Sequence, residues 1–100
     1  MDVTNLKEKI VFSKDAPTKL VINDLEKAKT VLICLENGQS TGEHTAKGEV
    51  SLFVLDGKGS FIIAGKEKKV EKGCVLVCSG NESHNIKTDS KMVVLAVIAK

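Results

Sequence analysis

From residue 30 almost to its end, the chain is a succession of short β-branched, apolar runs cut by glycine and aspartate turns, with no helical period. Thr30–Leu35 is closed by Glu36-Asn37-Gly38, Val50–Leu55 by Asp56-Gly57, and Ser60–Ala64 by Gly65. Lys68–Val70, Cys74–Cys78, Asn85–Thr88 and Met92–Ile98 complete the series. An Asp-Gly pair supplies the positive φ that a tight hairpin needs. Parallel strands need crossover helices, and no segment here provides one. The pattern therefore predicts an all-β sandwich or barrel. Before residue 30 the signal is weaker. Thr4–Ile10 reads as one helical turn capped by Thr4 or Asn5, Pro17 marks a turn or edge, and Val21-Ile22 begins a short strand.

A chain of 100 residues makes one domain, here divided into an amino-terminal extension and strand (1–29) and a barrel core (30–98). The net charge of +2 comes from lysines spread along the chain, not gathered into a basic block. Phe12, Phe53 and Phe61 are the only aromatic rings of the Phe, Tyr and Trp class. Both facts argue against a nucleic-acid surface, which wants clustered cations or stacking platforms. Met92–Ala99, the longest near-apolar run, is too short to span a bilayer. Met1–Ile10 is polar and charged and predicts no secretory signal. With the odd cysteine count of Cys34, Cys74 and Cys78, this predicts reduced thiols and a cytoplasmic protein.

Two polar loops interrupt the strands, and each holds one of the two histidines. The stretch Gly38-Gln-Ser-Thr-Gly-Glu-His44-Thr-Ala46-Lys-Gly-Glu49-Val50, continuing to Gly57, resembles the first cupin motif. Gly73-Cys-Val-Leu-Val-Cys-Ser79-Gly80-Asn81-Glu-Ser-His84 resembles the second. The likeness spans residues 30–98 and implies a cupin-type double-stranded β-helix, a jelly-roll barrel of the RmlC-like superfamily with a short amino-terminal extension. Metal-binding cupins place two histidines and a glutamate in the first motif and one histidine in the second. Here those positions fall on His44, Ala46, Val50 and His84. Glu49 lies one residue early, and one residue of offset in a strand turns a side chain to the opposite face. Ser79 stands where the second motif usually has proline, and Asn81 where it has glycine.

Ser79, Asn81 and Ser83 give the second loop polar groups for contacting a ligand or for satisfying the loop backbone, and the resemblance implies that His44 and His84 converge on a pocket at the open end of the barrel. It admits a divalent metal (zinc, iron, manganese, nickel or copper) on His44 and His84, with Glu43 or Cys78 as third ligand. Glu82 raises the same question with less support. Cys74 and Cys78 face one side of their strand with Leu76 between them, and all three cysteines read most simply as small buried hydrophobes. Val54, Leu55, Phe61, Ile63, Leu76, Val93, Leu95 and Val97 are expected in the core or pocket wall. Phe53 is expected on the opposite face, where it would help a homodimer. In similar small cupins an amino-terminal strand often extends a neighbouring subunit's sheet.

Three functions fit. The first is a binding protein for a small polar molecule, with or without a metal. The second is a metal-dependent dioxygenase or isomerase, which needs at least one more ligand near His44 and His84, a place that an inward Glu43 or Cys78 would fill. The third is a structural or interaction protein with a packed interior. Family membership alone does not choose among them.

Overall fold

The computed structural model describes residues 1–100. A 3₁₀ turn at Leu6–Lys9 is capped by Asn5, whose side-chain oxygen accepts from the Lys7 amide at 3.0 Å. Eight strands follow: β1 (Thr18–Asp24), β2 (Ala28–Leu35), β3 (Val50–Asp56), β4 (Lys58–Ile63), β5 (Lys66–Glu71), β6 (Val75–Cys78), β7 (His84–Thr88) and β8 (Met92–Ala99). They form a five-stranded sheet of order β1-β2-β8-β3-β6 and a three-stranded sheet of order β5-β4-β7. Every pairing is antiparallel. The architecture is all-β and of the jelly-roll barrel type. No helix is long and apolar enough to cross a membrane.

Sequence patterns explain the elements. Pro17 stands directly before β1, where its missing N–H costs no ladder bond. The β3–β4 hairpin turns at Gly57, which has φ +82°. A Cβ there would lie 2.0 Å from the Lys91 carbonyl oxygen, so only glycine fits the turn. The strand before Asn23, read as beginning at Val21, starts three residues earlier, at Thr18. It pairs with β2 of its own chain, leaving its outer edge open.

The period-2 alternation of the large sheet sorts its residues into two faces. Val31, Leu35, Leu52, Val54 and Val94 point inward and pack with Phe61 and Ile86 of the small sheet. Phe61 is fully buried, and each such side chain contributes roughly 1.5–3 kcal/mol by leaving water. A second cluster lies on the outer face, where Leu32, Cys34 and Val93 are covered by Ile10 and Phe12 of the amino-terminal segment. Leu55, Leu95 and Val97 correct the expected core: strand parity places Leu95 and Val97 opposite the inward Val94 and Ala96, and the β3 register breaks between Val54 and Asp56. Cys74, Leu76 and Cys78 share the inward face.

The two polar loops are tied to each other. The amide of Asn81 donates to the Ala46 carbonyl at 2.7 Å. Gly80 is pressed so close to the first loop that a Cβ would meet the Lys47 oxygen at 2.4 Å. Asn81 adopts φ +66°, the left-handed conformation that asparagine tolerates better than most residues. The residue that replaces the family's glycine therefore keeps a glycine-like backbone. Glu82 closes the turn by accepting from the Ser79 amide at 2.7 Å.

This packing makes a prediction. Gly80→Ala is expected to lower stability by about 1–3 kcal/mol, because backbone must shift to admit the methyl group. Asn81→Gly is expected to stay within about 0.5 kcal/mol of the parent. Thermal unfolding of the two variants checks both; equal Tm values for Gly80→Ala and the parent would refute the close approach.

Candidate ligand pocket

The first polar loop is not free. It runs antiparallel beside β7 and extends the small sheet. Thr41 N–H donates to the Ile86 carbonyl at 3.0 Å, and Thr88 N–H donates to the Gln39 carbonyl at 3.1 Å. His44 and His84 exchange both backbone hydrogen bonds, at 2.9 and 2.8 Å. Residues paired in this way project their side chains to the same face. The two imidazoles accordingly stand side by side, with centroids 6.1 Å apart and planes tilted by 43°.

They stand over a cavity of about 320 Å³, near the lower end of the range for small-molecule sites. Its floor comes from adjacent rows of the large sheet. In register, Val21, Val31, Ala96 and Leu52 form one row across β1, β2, β8 and β3. Lys29, Ile98 and Val50 form the next row. Ile33 and Ile86 close the apolar wall, and Lys19, Lys29, His44 and His84 bring the polar groups.

The four positions to which the resemblance assigns a metal site all line this cavity: His44, Ala46, Val50 and His84. Two of them are apolar. The remaining donors do not complete a set, since no group of three or more His, Cys, Asp or Glu side chains is arranged to hold a metal ion. Glu43 is exposed and does not line the cavity. Cys78 sits at the far end of the Lys29–Ile98–Val50 row, buried in the core beyond the cavity, and burial followed by the Glu82 charge pushes its thiol pKa up. Glu82 is engaged by the Ser79 amide. Glu49 stays on the exposed side, as strand parity requires. Ser79 and Asn81, expected as ligand contacts, lie outside the lining, because their loop is used to clamp the first loop. The residues present do not fit a resident divalent metal, which usually has three protein ligands.

The two histidines differ in what they have left to offer. His44 Nε2 lies 2.8 Å from the Thr41 carbonyl oxygen. A carbonyl only accepts, so this nitrogen carries the proton and donates. Lys19 Nζ lies 3.3 Å from the same nitrogen, a second donor facing a donor. The His84 ring is more enclosed: its Nδ1 is shut off from solvent without a well-aligned hydrogen-bond partner, beside the backbone of Glu82. Burial lowers the His84 pKa below the ordinary histidine value, and the nearby His44 and Lys19 add to this. The Glu82 backbone pulls the other way without reversing it.

Lys19 and Lys29 were not legible as site residues from motifs. Parity could have found Lys29, which continues the inward series Leu35, Ile33, Val31 to the start of β2. Lys19 precedes the apolar pair that marks β1 and carried no such signal.

The sign of the His84 shift gives a second prediction. A histidine whose folded pKa is depressed binds fewer protons folded than unfolded, so its contribution to stability is present above the ordinary value of 6.5 and is lost as pH falls toward the folded value. Imidazole NMR titration is expected to show His84 titrating below 6.5, moving upward in a Lys19→Gln variant. A His84 midpoint above 6.5 would contradict the burial of the ring.

Comparison with known proteins agrees with this geometry. A family model described as a cupin domain matches residues 31–98. The fold closely matches that of an RmlC-like cupin protein from Desulfovibrio desulfuricans, at 28% identity and TM-score 0.91, covering 99% of this chain and 96% of that one. It also matches a protein from Thermus thermophilus at 20% identity and TM-score 0.91, covering 99% and 97%. KdgF from Halomonas is more distant, at 11% identity and TM-score 0.77, covering 86% and 80%. No match is found among curated protein sequences. The chain belongs to the cupin family, in its RmlC-like double-stranded β-helix form.

Proposed function

We propose that this chain is a binding protein that holds a small polar molecule beside His44 and His84, over the apolar floor of the barrel. One observation carries the reading: a cavity with an apolar floor lies under a side-by-side imidazole pair. A packed structural barrel would fill that space. A metal-dependent dioxygenase or isomerase would need donors where Ala46 and Val50 stand.

The test has two arms. Untagged protein purified under reducing conditions is expected to carry well below one metal ion per chain, and to take up none of zinc, iron, manganese, nickel or copper stoichiometrically. A thermal-shift screen of small polar metabolites is expected to give hits that His84→Ala abolishes while the fold persists. A ligand at 100 times its Kd raises stability by about 2.7 kcal/mol, well within range of such a screen. Near one metal per chain, lost in a His44→Ala, His84→Ala variant, would instead establish the metalloenzyme reading.

We further propose that the protein is a homodimer in a reducing, cytoplasmic setting. The three cysteines are free, which suits that setting. The outer face of the large sheet carries an apolar row running in register through Leu20, Leu32, Leu95, Phe53 and Val75 across all five strands. Val75 and Val77 on the β6 edge are 56% and 57% exposed. Leu32 in the middle is covered by Ile10 and Phe12, but the row is open at Leu20 and at the β6 edge, and exposed apolar edge residues of this kind favour self-association. Light scattering is expected to give about twice the chain mass of 10.7 kDa, and Val75→Lys with Val77→Lys is expected to halve it. A monomer at all concentrations would refute the dimer.

A further inference from the structure

The mouth of the cavity is unbalanced in charge. Lys19 and Lys29 line it beside two imidazoles, and no carboxylate lines it. Neither lysine takes part in any of the four ion pairs of the structure. Asp24 faces Lys29 across the β1–β2 register, but its carboxylate is held by Lys100. Arginine, the usual planar anion clamp, is absent from the chain, so anion recognition here falls to lysine.

Both lysines are inward by backbone register. Lys19 pairs with Ile33, and Lys29 with Ile98, and both partners are cavity-wall residues. Inward lysines on an edge strand can serve simply to discourage edge-to-edge association. That account covers Lys19, on the edge strand β1. It does not cover Lys29, because β2 is enclosed between β1 and β8. A second inward lysine on an interior strand, beside an apolar floor, calls for another reason.

The Lys19–His44 contact supplies one. With its proton committed to Thr41, His44 Nε2 is a donor, and the Lys19 ammonium 3.3 Å away is a donor too. The His44 proton is spent on the Thr41 carbonyl, so the acceptor called for at this point is left to the Lys19 ammonium, and a charged acceptor is held more strongly than a neutral one. A cation is repelled by the same pair. Below them the floor of Val21, Val31, Leu52 and Ala96 offers nothing polar.

We infer that the cavity binds a small organic anion with an apolar body, of which a medium-chain carboxylate is the simplest member. The carboxylate is held by Lys19, with Lys29, two inward rows further along β2, adding positive charge to the same lining, and the hydrocarbon lies on the apolar floor. His84 lines the same cavity. This rests on the pocket reading above and adds to it the charge and shape of the ligand.

Four matched probes test it on the full chain by calorimetry and methyl NMR: hexanoate, hexanamide, hexylamine and acetate. Hexanoate is expected to bind at least about tenfold more tightly than hexanamide or acetate, with hexylamine weakest. A Lys19→Gln, Lys29→Gln variant is expected to weaken hexanoate by about tenfold or more and to leave hexanamide unchanged, while the Arg pair at the same positions retains hexanoate. Circular dichroism confirms that each variant is folded. If hexanamide binds as well as hexanoate and needs His84, the pocket reading stands and the anion inference falls. Acetate binding as tightly as hexanoate would overturn the apolar body. Hexanoate binding undiminished in the Gln pair would overturn the role of the lysines. If none of the probes binds a folded protein at millimolar concentration, the anion inference falls, and the pocket reading is decided by the thermal-shift screen.

Discussion

Two backbone hydrogen bonds, exchanged between His44 and His84, organise the functional end of this barrel. They convert a polar loop into an extra partner for β7, and so fix the direction of both imidazoles. Without them the segment from Gln39 to Gly48 would be a long connection whose closure entropy grows with its freedom. With them, the loop is held at Gln39, Thr41 and His44 on one side and at Ala46 by Asn81 on the other. The side chains matter little to this arrangement. Thr41 is the exception, since its hydroxyl accepts from the Ile86 amide at 3.0 Å and takes the place of a missing ladder bond.

Given that backbone frame, the identity of a few side chains decides the chemistry. The positions at which the family pattern places metal ligands do converge on one cavity. At two of them this chain has a methyl and an isopropyl group, Ala46 and Val50. Each swap removes a donor and adds apolar wall. The same cavity that could have been a coordination sphere becomes a greasy floor with nitrogen groups at its rim. Coordination needs several donors within bonding distance of a point. Ligand binding by burial and a few directed hydrogen bonds needs only the shape and the rim.

Much of the fold was readable in the sequence, because turn chemistry and strand alternation are local. Gly57, Gly65 and the β-branched runs placed most strands within a few residues. The limits were long-range. Leu95 and Val97 look no different from Val94 and Ala96 as letters, and only the register with β2 and β3 decides which pair faces in. The same parity argument put Glu49 outside correctly, since it needed only a neighbour of known direction. Ser79 and Asn81 offered polar groups to a ligand or to the loop itself, and they lie outside the cavity lining, in the turn that clamps the first loop. Asn81 is held by its φ of +66° and by Ala46. Lys19 is the clearest omission: its strand lies outside the matched motif region, and its importance arises only when β1 folds back on β2.

The division of tasks at the rim follows from the same frame. Burial keeps His84 toward its neutral form, in which one ring nitrogen donates and the other accepts. His44 has its Nε2 proton committed to the Thr41 carbonyl. Charge is left to the ammonium groups of Lys19 and Lys29, on flexible stems that can track a ligand head group without disturbing the sheet. Protonating His84 in place of this arrangement would bring a third positive charge onto an already cationic rim, and both His44 and Lys19 oppose it. Charge at the rim is therefore carried by lysine, and the neutral His84 ring adds none. An anion would relieve the repulsion that a cation or a metal ion would increase, and the apolar floor sets how much of its body can leave water.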